Sequence, residues 1–274
     1  MTGNKRHVRR QAVPAPILII AGCAAAFFAL PLIGLLWRTP WSKAWAYLSA
    51  DTAVTALRLS VICSLWATAL SLVLGIPLAW FLARSSVRGR GIIRALCTLS
   101  MVLPPVVSGV ALFFALGRRG LIGQYLDRWF DVTLPFTTAG VVIAQTFVAM
   151  PFLVITVEAA LRQLDIRFED AAHTLGASSW YTFRRVTLPA IRPALIAGAV
   201  LTWARALGEF GATITFAGNF PGTTQTMPLA VYLSLESNPE EAIVLALLLI
   251  VVSFAVLVGL RDRWLNTGSR AVGT

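Results

Sequence analysis

A chain of 274 residues that is 57% hydrophobic and only 13% charged, with a mean hydropathy of +0.76, falls outside the soluble globular class, where about a quarter of residues carry charge. Its formal charge of +11 would suggest nucleic acid as the partner of a soluble protein. In a membrane chain basic residues report topology first, so no nucleic acid partner is inferred. Cys23, Cys63 and Cys97 form no Cys-x-x-Cys pair and His7 and His173 stand far apart, so neither a disulfide framework nor a metal centre is indicated.

After a basic tail, residues 1–14, six apolar runs are long enough to cross about 30 Å of hydrocarbon as helices. They lie at Ile17 to Trp37, Ala53 to Leu82, Ala95 to Leu116, Ala139 to Val157, Ala194 to Phe216 and Ala242 to Leu260. In the first, Ile20-Ala21-Gly22-Cys23 has the form of a lipoprotein cleavage site, but the apolar run continues to Trp37 as a membrane helix does. The second is long enough to tilt or project beyond the bilayer. The third holds Pro104 and Pro105, which remove two backbone donors and bend or interrupt the helix, either as a packing kink or beside a pathway. Leu121 to Phe130 places its apolar residues at helical spacing, which predicts a short helix on the outer interface.

Between spans four and five, Arg162 to Pro193 is too polar for a span and too patterned for a plain connector. Asp165 suits an N-cap, Glu169 and Asp170 fall in a first helical turn, and Gly176 supplies a left-handed stop. A helix from about Ile166 to Leu175 is expected, then a second capped by Ser178 or Ser179, with Pro189 beyond its end. Phe168, Ala172 and Leu175 would form a small apolar surface bordered by charge, suited to docking in a groove of another protein.

Span five carries Arg205 and Glu209, four residues apart on one helix face. Each would cost roughly 2.5 to 3.5 kcal/mol exposed to lipid at mid-membrane, so both should face protein or a water-filled cavity. Two readings stand: a structural ion pair, or a pathway or gate in which Arg205 attracts an anion. Ser108, Thr213, Thr215 and Asn219 are neutral pathway candidates. Arg58 and Glu158 lie nearer the interfaces, and Gly208 with Gly211 permits close helix approach. Gly218 to Glu241, rich in Gly, Pro and Thr, is the largest outer loop. Sixteen of the 23 Lys and Arg residues fall on the side of the termini and only five on the other, which puts both termini in the cytoplasm.

The polar loop resembles that of the membrane subunits of ABC importers, whose pattern is Glu-Ala-Ala, three residues, Gly, nine residues, Ile, any residue, Leu-Pro. Here Asp170-Ala171-Ala172 is followed at those spacings by Gly176 and by Val186-Thr187-Leu188-Pro189. Asp170 replaces the usual Glu, and Glu169 immediately precedes it, so the acidic role is open between the two. Gly208-Glu209-Phe210-Gly211 and its continuation through Ala217-Gly218-Asn219-Phe220-Pro221-Gly222 and Gln225-Thr226-Met227-Pro228-Leu229 resemble the sulfate and molybdate branch, closest to molybdate permeases. Leu103 to Gly109 is similar to the same branch.

The resemblance implies an all-α integral membrane protein with the type I ABC importer permease fold and six transmembrane helices. The segments would be a first helix and outer loop at 15–50, a transmembrane domain at 51–260 with its coupling loop at 162–193, and a cytoplasmic tail at 261–274. It implies a multi-pass homodimer in the cytoplasmic (inner) membrane of a prokaryote, cytoplasmic ATPase subunits and an extracytoplasmic molybdate-binding protein. Lys5 and Lys43 are the only lysines and neither follows Gly, so the chain has no phosphate-binding loop of the Gly-Lys-Ser/Thr kind. ATP and Mg would belong to the ATPase partner, with no cofactor held by this chain, which would not itself be an enzyme. Competing readings are a sulfate or thiosulfate permease, a proton-driven secondary transporter relaying through Glu158 and Glu209, and a membrane scaffold that transports nothing.

Overall fold

The computed structural model describes residues 14–268, every regular element of which is helical. The basic residues Lys5, Arg6, Arg9, Arg10 and Arg270 lie outside the described residues. Helix α1, Ala15–Arg38, opens on Pro16, whose missing N–H falls where a helix has no partner for it. None of its residues is buried in a single copy. After the short α2, Trp41–Leu48, comes α3, Asp51–Arg84. At 1.5 Å per residue α3 is about 50 Å long, so it must tilt or project as its apolar length suggests.

Small residues decide how α3 packs. Ala56, Ser60, Cys63, Ala67, Ser71, Gly75 and Ala79 form a buried stripe, and α7, Thr138–Gln163, lies against it. A Cβ added at Gly75 would stand 3.1 Å from Leu153 Cδ2. Lipid provides no hydrophobic drive between helices, so close backbone approach and dispersion must hold them together. The two helices run in the same direction, Cys63 clustering with Val141 near one end and Leu82 with Leu161 near the other. Helix α11, Arg192–Leu207, runs opposite to both: Gly198 abuts Leu153, while Ala206 clusters with Ala67 and Ala149.

Two expected spans are broken. The third consists of α4, Arg90–Val102, and α5, Pro105–Leu116, separated by extended backbone at Leu103 and Pro104. The double proline therefore interrupts the helix outright, and Pro105 starts a new one. The fifth, expected as one helix from Ala194 to Phe216, divides into α11 and α12, Gly211–Phe216. The break at residues 208–210 is held by the Glu209 carboxylate, whose Oε1 accepts the Ala212 N–H at 2.8 Å. Capture of a local backbone donor by a side chain is the usual competitor of helix continuation.

The remaining elements are α6, Gly123–Phe130; α8, Arg167–Thr174; α9, Ser179–Thr182; a π-helical turn, Phe183–Thr187; α10, Leu188–Ala190; α13, Met227–Ser237; and α14, Pro239–Gly268. The largest outer loop is thus not wholly irregular. Its second half is α13, started at Met227-Pro228 and tied to α3 by the Met227 N–H donated to Ser60 Oγ at 2.6 Å. Among the described residues, four helices are each long and apolar enough to cross a membrane alone, and a fifth crossing arises if Ser179–Ala190 and Arg192–Leu207, bent by 73°, are taken together. At the α2 end of the bundle, Lys43 Nζ meets Glu240 Oε2 at 2.7 Å.

Candidate functional site

The polar segment between α7 and α11 folds as helix, glycine turn, helix. Asp165 Oδ1 accepts the Arg167 N–H at 3.0 Å, which satisfies one open donor at the start of α8. The helix ends where Gly176 takes φ +83°, with its N–H on the His173 carbonyl and the Ala177 N–H on that of Ala172. His173 Nδ1 donates to the Ala177 carbonyl at 3.0 Å. A Cβ at Gly176 would meet nothing within 4 Å, so the demand for glycine is conformational and not steric. Ser178, not Ser179, caps the second helix by accepting the Tyr181 N–H.

That second helix continues through Pro189 to Ala190, contrary to the expected end before the proline. A wider turn resolves the conflict: the Leu188 N–H reaches the Phe183 carbonyl five residues back, and the π turn makes room for a ring that a regular α-helix would clash with. Leu175 projects at 88% exposure, beside Phe168 at 61%. A groove of about 690 Å³ is lined by Ala172, Leu175, Gly176, Ala177, Ser178, Tyr181 and Val186.

The two acids of α8 face opposite ways. Glu169 is turned inward: Oε2 pairs with Arg84 Nε at 3.2 Å, while Oε1 accepts from Thr187 Oγ1 at 2.8 Å and Arg84 Nη2 at 3.3 Å. Asp170 is exposed and its carboxylate makes no hydrogen bond or ion pair among the described residues. Ala171 and Pro189 are exposed with it, while Ala172, Val186 and Leu188 are half-buried. The ring of Phe183 lies between Trp80 of α3 and Trp180, with centroids 5.6 and 5.8 Å apart. The loop is therefore anchored to the end of α3 by an ion pair and by the edge-to-face contact of Phe183 with Trp80, contacts that no reading of the loop alone predicts.

Within the bundle, α5 packs directly on α12. A Cβ at Gly211 would stand 2.8 Å from Pro105 Cβ, and one at Gly109 would overlap the Thr215 hydroxyl and lie 2.8 Å from the Ala212 carbonyl oxygen. Gly211 is thus a close-approach glycine, whereas Gly208 has only the Ala204 carbonyl at 3.7 Å. Arg205 Nη1 meets Glu209 Oε2 at 2.6 Å, with Glu209 1% exposed and Arg205 28%. The pair is real, and the carboxylate also organises the helix break. Ser108 and Thr213 are fully buried and their hydroxyls have no partner among the described residues. Thr215 Oγ1 donates to the Gly211 carbonyl at 2.8 Å, and Asn219 is half-buried with Oδ1 unpartnered among the described residues.

Glu158 accepts from both Arg94 and Arg162, at 2.6 to 2.9 Å, and Arg58 is exposed. Sequence reasoning missed Gln145, fully buried on α7 with both amide atoms unpartnered among the described residues. It lies one turn from Val141, which clusters with Ala217, and one turn from Ala149, which clusters with Ala206, hence at the level of the α11–α12 break. A scan of the spans for amide side chains as well as charges would have found it.

Residues 75–270 match the family described as binding-protein-dependent transport system inner membrane component. Over 253 residues, 92% of this chain and 95% of the relative, the sequence is 45% identical to the molybdenum transport system permease protein ModB of Mycobacterium tuberculosis. It is 34% identical over 248 residues to the sulfate transport system permease protein CysT of Escherichia coli, covering 89% of each. The fold is similar to a chain of the bacterial alginate ABC transporter in complex with alginate pentasaccharide-bound periplasmic protein, with TM-score 0.70 and 18% identity over 89% of this chain and 90% of that one.

Proposed function

Because the chain belongs to the family of binding-protein-dependent transport system inner membrane components, we propose that it is the permease subunit of an ATP-driven importer that moves molybdate, and tungstate by the same chemistry, across the cytoplasmic membrane. The observation that carries the cargo is the 45% identity to a molybdenum permease along nearly the whole chain, against 34% to a sulfate permease. Six crossings are proposed: α1, α3, α4 with α5, α7, α11 with α12, and α14, with both termini cytoplasmic by charge. The transmembrane domain is 51–260 and the coupling loop 162–193.

In this reading two copies flank a route for the dianion, a binding protein delivers it from outside, and ATP with its Mg is held by cytoplasmic ATPase subunits. The loop seats Leu175 and its groove in the ATPase, and the exposed Asp170 offers it a charge. Glu169, tied to Arg84 and Thr187, passes the movement of the loop to α3 and α11. The spans need only a route that an anion can enter, and Arg205, neutralised by Glu209, leaves no fixed net charge to trap it. A proton relay through Glu158 and Glu209 is not supported: one carboxylate is held by two arginines, the other by Arg205 and a backbone N–H.

The test is uptake by vesicles holding the permease with its ATPase and binding protein, offered molybdate, tungstate and sulfate. ATP-dependent accumulation of molybdate is expected. Uptake by the permease alone, driven by a proton gradient, or ATP-driven uptake of sulfate in preference to molybdate, would overturn the proposal.

A further inference from the structure

Phe136 has φ +62°. A left-handed backbone is a genuine outlier for a bulky aromatic residue and persists only where its surroundings over-determine it. Those surroundings are two other phenylalanines. The Phe136 ring meets Phe113, near the end of α5, with centroids 6.1 Å apart, and Phe220, in the connection after α12, at 6.0 Å, both edge to face. Gly218, itself at φ +76°, leaves room for this contact: a Cβ there would stand 2.8 Å from Phe220 Cε2 and 3.2 Å from Phe136 Cδ1.

The three rings differ in how firmly they are held. Phe113 sits on a helix. Phe220 sits in a tight turn in which its N–H donates to Thr224 Oγ1 and its carbonyl accepts the N–H groups of Thr223, Thr224 and Gln225. Phe136 sits in the connection between α6 and α7, next to a cavity of about 470 Å³ lined by Phe113, Arg118, Thr133, Pro135, Phe136 and Thr137. The ring thus has a space to move into. Its backbone would relax on leaving the left-handed region; the contacts with Phe113 and Phe220 oppose that movement, while Thr137 Oγ1 on the Leu134 carbonyl and Thr138 Oγ1 on the Thr223 carbonyl hold the segment on which the ring is carried.

The cluster spans the ends of α5 and α12, the two helices that pack through Gly109 and Gly211 and hold the buried hydroxyls of Ser108 and Thr213. We propose that Phe113, Phe136 and Phe220 form the outer seal of the permeation route, with Phe136 as the member that moves. The seal rests on the importer reading above. Three apolar rings give an oxyanion no hydrogen bond to replace its water, so a closed cluster excludes it by dewetting. Withdrawal of Phe136 into the adjacent cavity separates α5 from the connection after α12. Strain on one side and ring packing on the other make two discrete arrangements, as a gate requires.

The experiment uses the assembled complex of permease, ATPase and binding protein in liposomes loaded with molybdate. Passive efflux without ATP should rise on the order of tenfold in Phe136→Ala, and likewise in Phe220→Ala, while Phe136→Leu, which keeps an apolar plug, stays near the unaltered rate. Unchanged efflux in both alanine variants, or loss of ATP-driven uptake without any leak, overturns the seal while active uptake by the unaltered complex leaves the importer reading standing. Failure of the unaltered complex to take up molybdate with ATP overturns that reading, and the seal with it.

Discussion

Glu169→Ala should loosen the docking loop from the membrane domain. The substitution leaves Thr187 Oγ1, in a residue only 1% exposed, without its acceptor, and strips Arg84 of its carboxylate. An orphaned buried hydroxyl costs about 1 to 3 kcal/mol. The ion pair, at 18% and 13% side-chain exposure, is shielded enough to exceed a surface bridge yet wet enough to fall short of a dry one, about 1 to 2 kcal/mol. Together these lower the local opening free energy by about 2 to 5 kcal/mol, which is about 30-fold to several thousand-fold in the opening equilibrium. Amide hydrogen exchange across residues 165–190 should accelerate accordingly, while Glu169→Gln, which keeps an acceptor for Thr187, should show a smaller change. Asp170→Asn should leave exchange unaltered and weaken binding of the ATPase instead. Equal exchange in Glu169→Ala and the unaltered protein, or identical effects of the two acids, would refute the assignment of one to anchoring and the other to docking.

Gly109→Ala forces a methyl group onto Thr215 and the Ala212 carbonyl, an overpacking worth about 1 to 3 kcal/mol, and should lower the midpoint of thermal unfolding in detergent. Gly176→Val places a β-branched residue at φ +83°, at about 1 to 2 kcal/mol of backbone strain, and should reduce transport-coupled ATP hydrolysis while membrane insertion persists. The Lys43 ammonium hydrogen-bonds Glu240 and holds its carboxyl below the usual glutamate value, and Glu240 raises Lys43. The Glu240 contribution is full above the ordinary carboxylate value and is lost as pH falls through the lowered one. That of Lys43 is full below the ordinary lysine value and is lost as pH rises through the raised one. Lys43→Met should therefore raise the Glu240 titration toward its ordinary value, with the Tyr47 hydroxyl still hydrogen-bonded to the carboxylate, measurable by NMR, with no change at neutral pH in the fold around it.

Local chemistry was legible in the sequence wherever a residue acts on its own neighbourhood. Hydropathy marked helices long and apolar enough to cross a membrane, Gly176 marked a left-handed stop that the structure places at +83°, and the pattern from Asp165 to Pro189 marked a helix, a glycine turn and a second helix. Arg205 and Glu209, four residues apart, do pair. These features depend on backbone preference, side-chain size and periodicity over one or two helical turns, and each can be evaluated without knowing what lies across the bundle.

Only the tertiary structure decided which acid of α8 turns inward, because Arg84 is 85 residues from Glu169 along the chain and reaches it through the packing of α3 on α7. It also decided that span five breaks at Glu209, since an intramembrane carboxylate can pair along a continuous helix or cap a new one and the sequence permits both. The π turn that carries the chain through Pro189, the burial of Ser108, Gln145 and Thr213, and the strained Phe136 held between Phe113 and Phe220 have the same origin. The buried groups and the held ring depend on contacts between segments remote in sequence, fixed by where α3, α5, α7, α11 and α12 meet; the π turn and the Glu209 cap are local bonds, and for them close packing selects among conformations that local preference leaves nearly equal in energy.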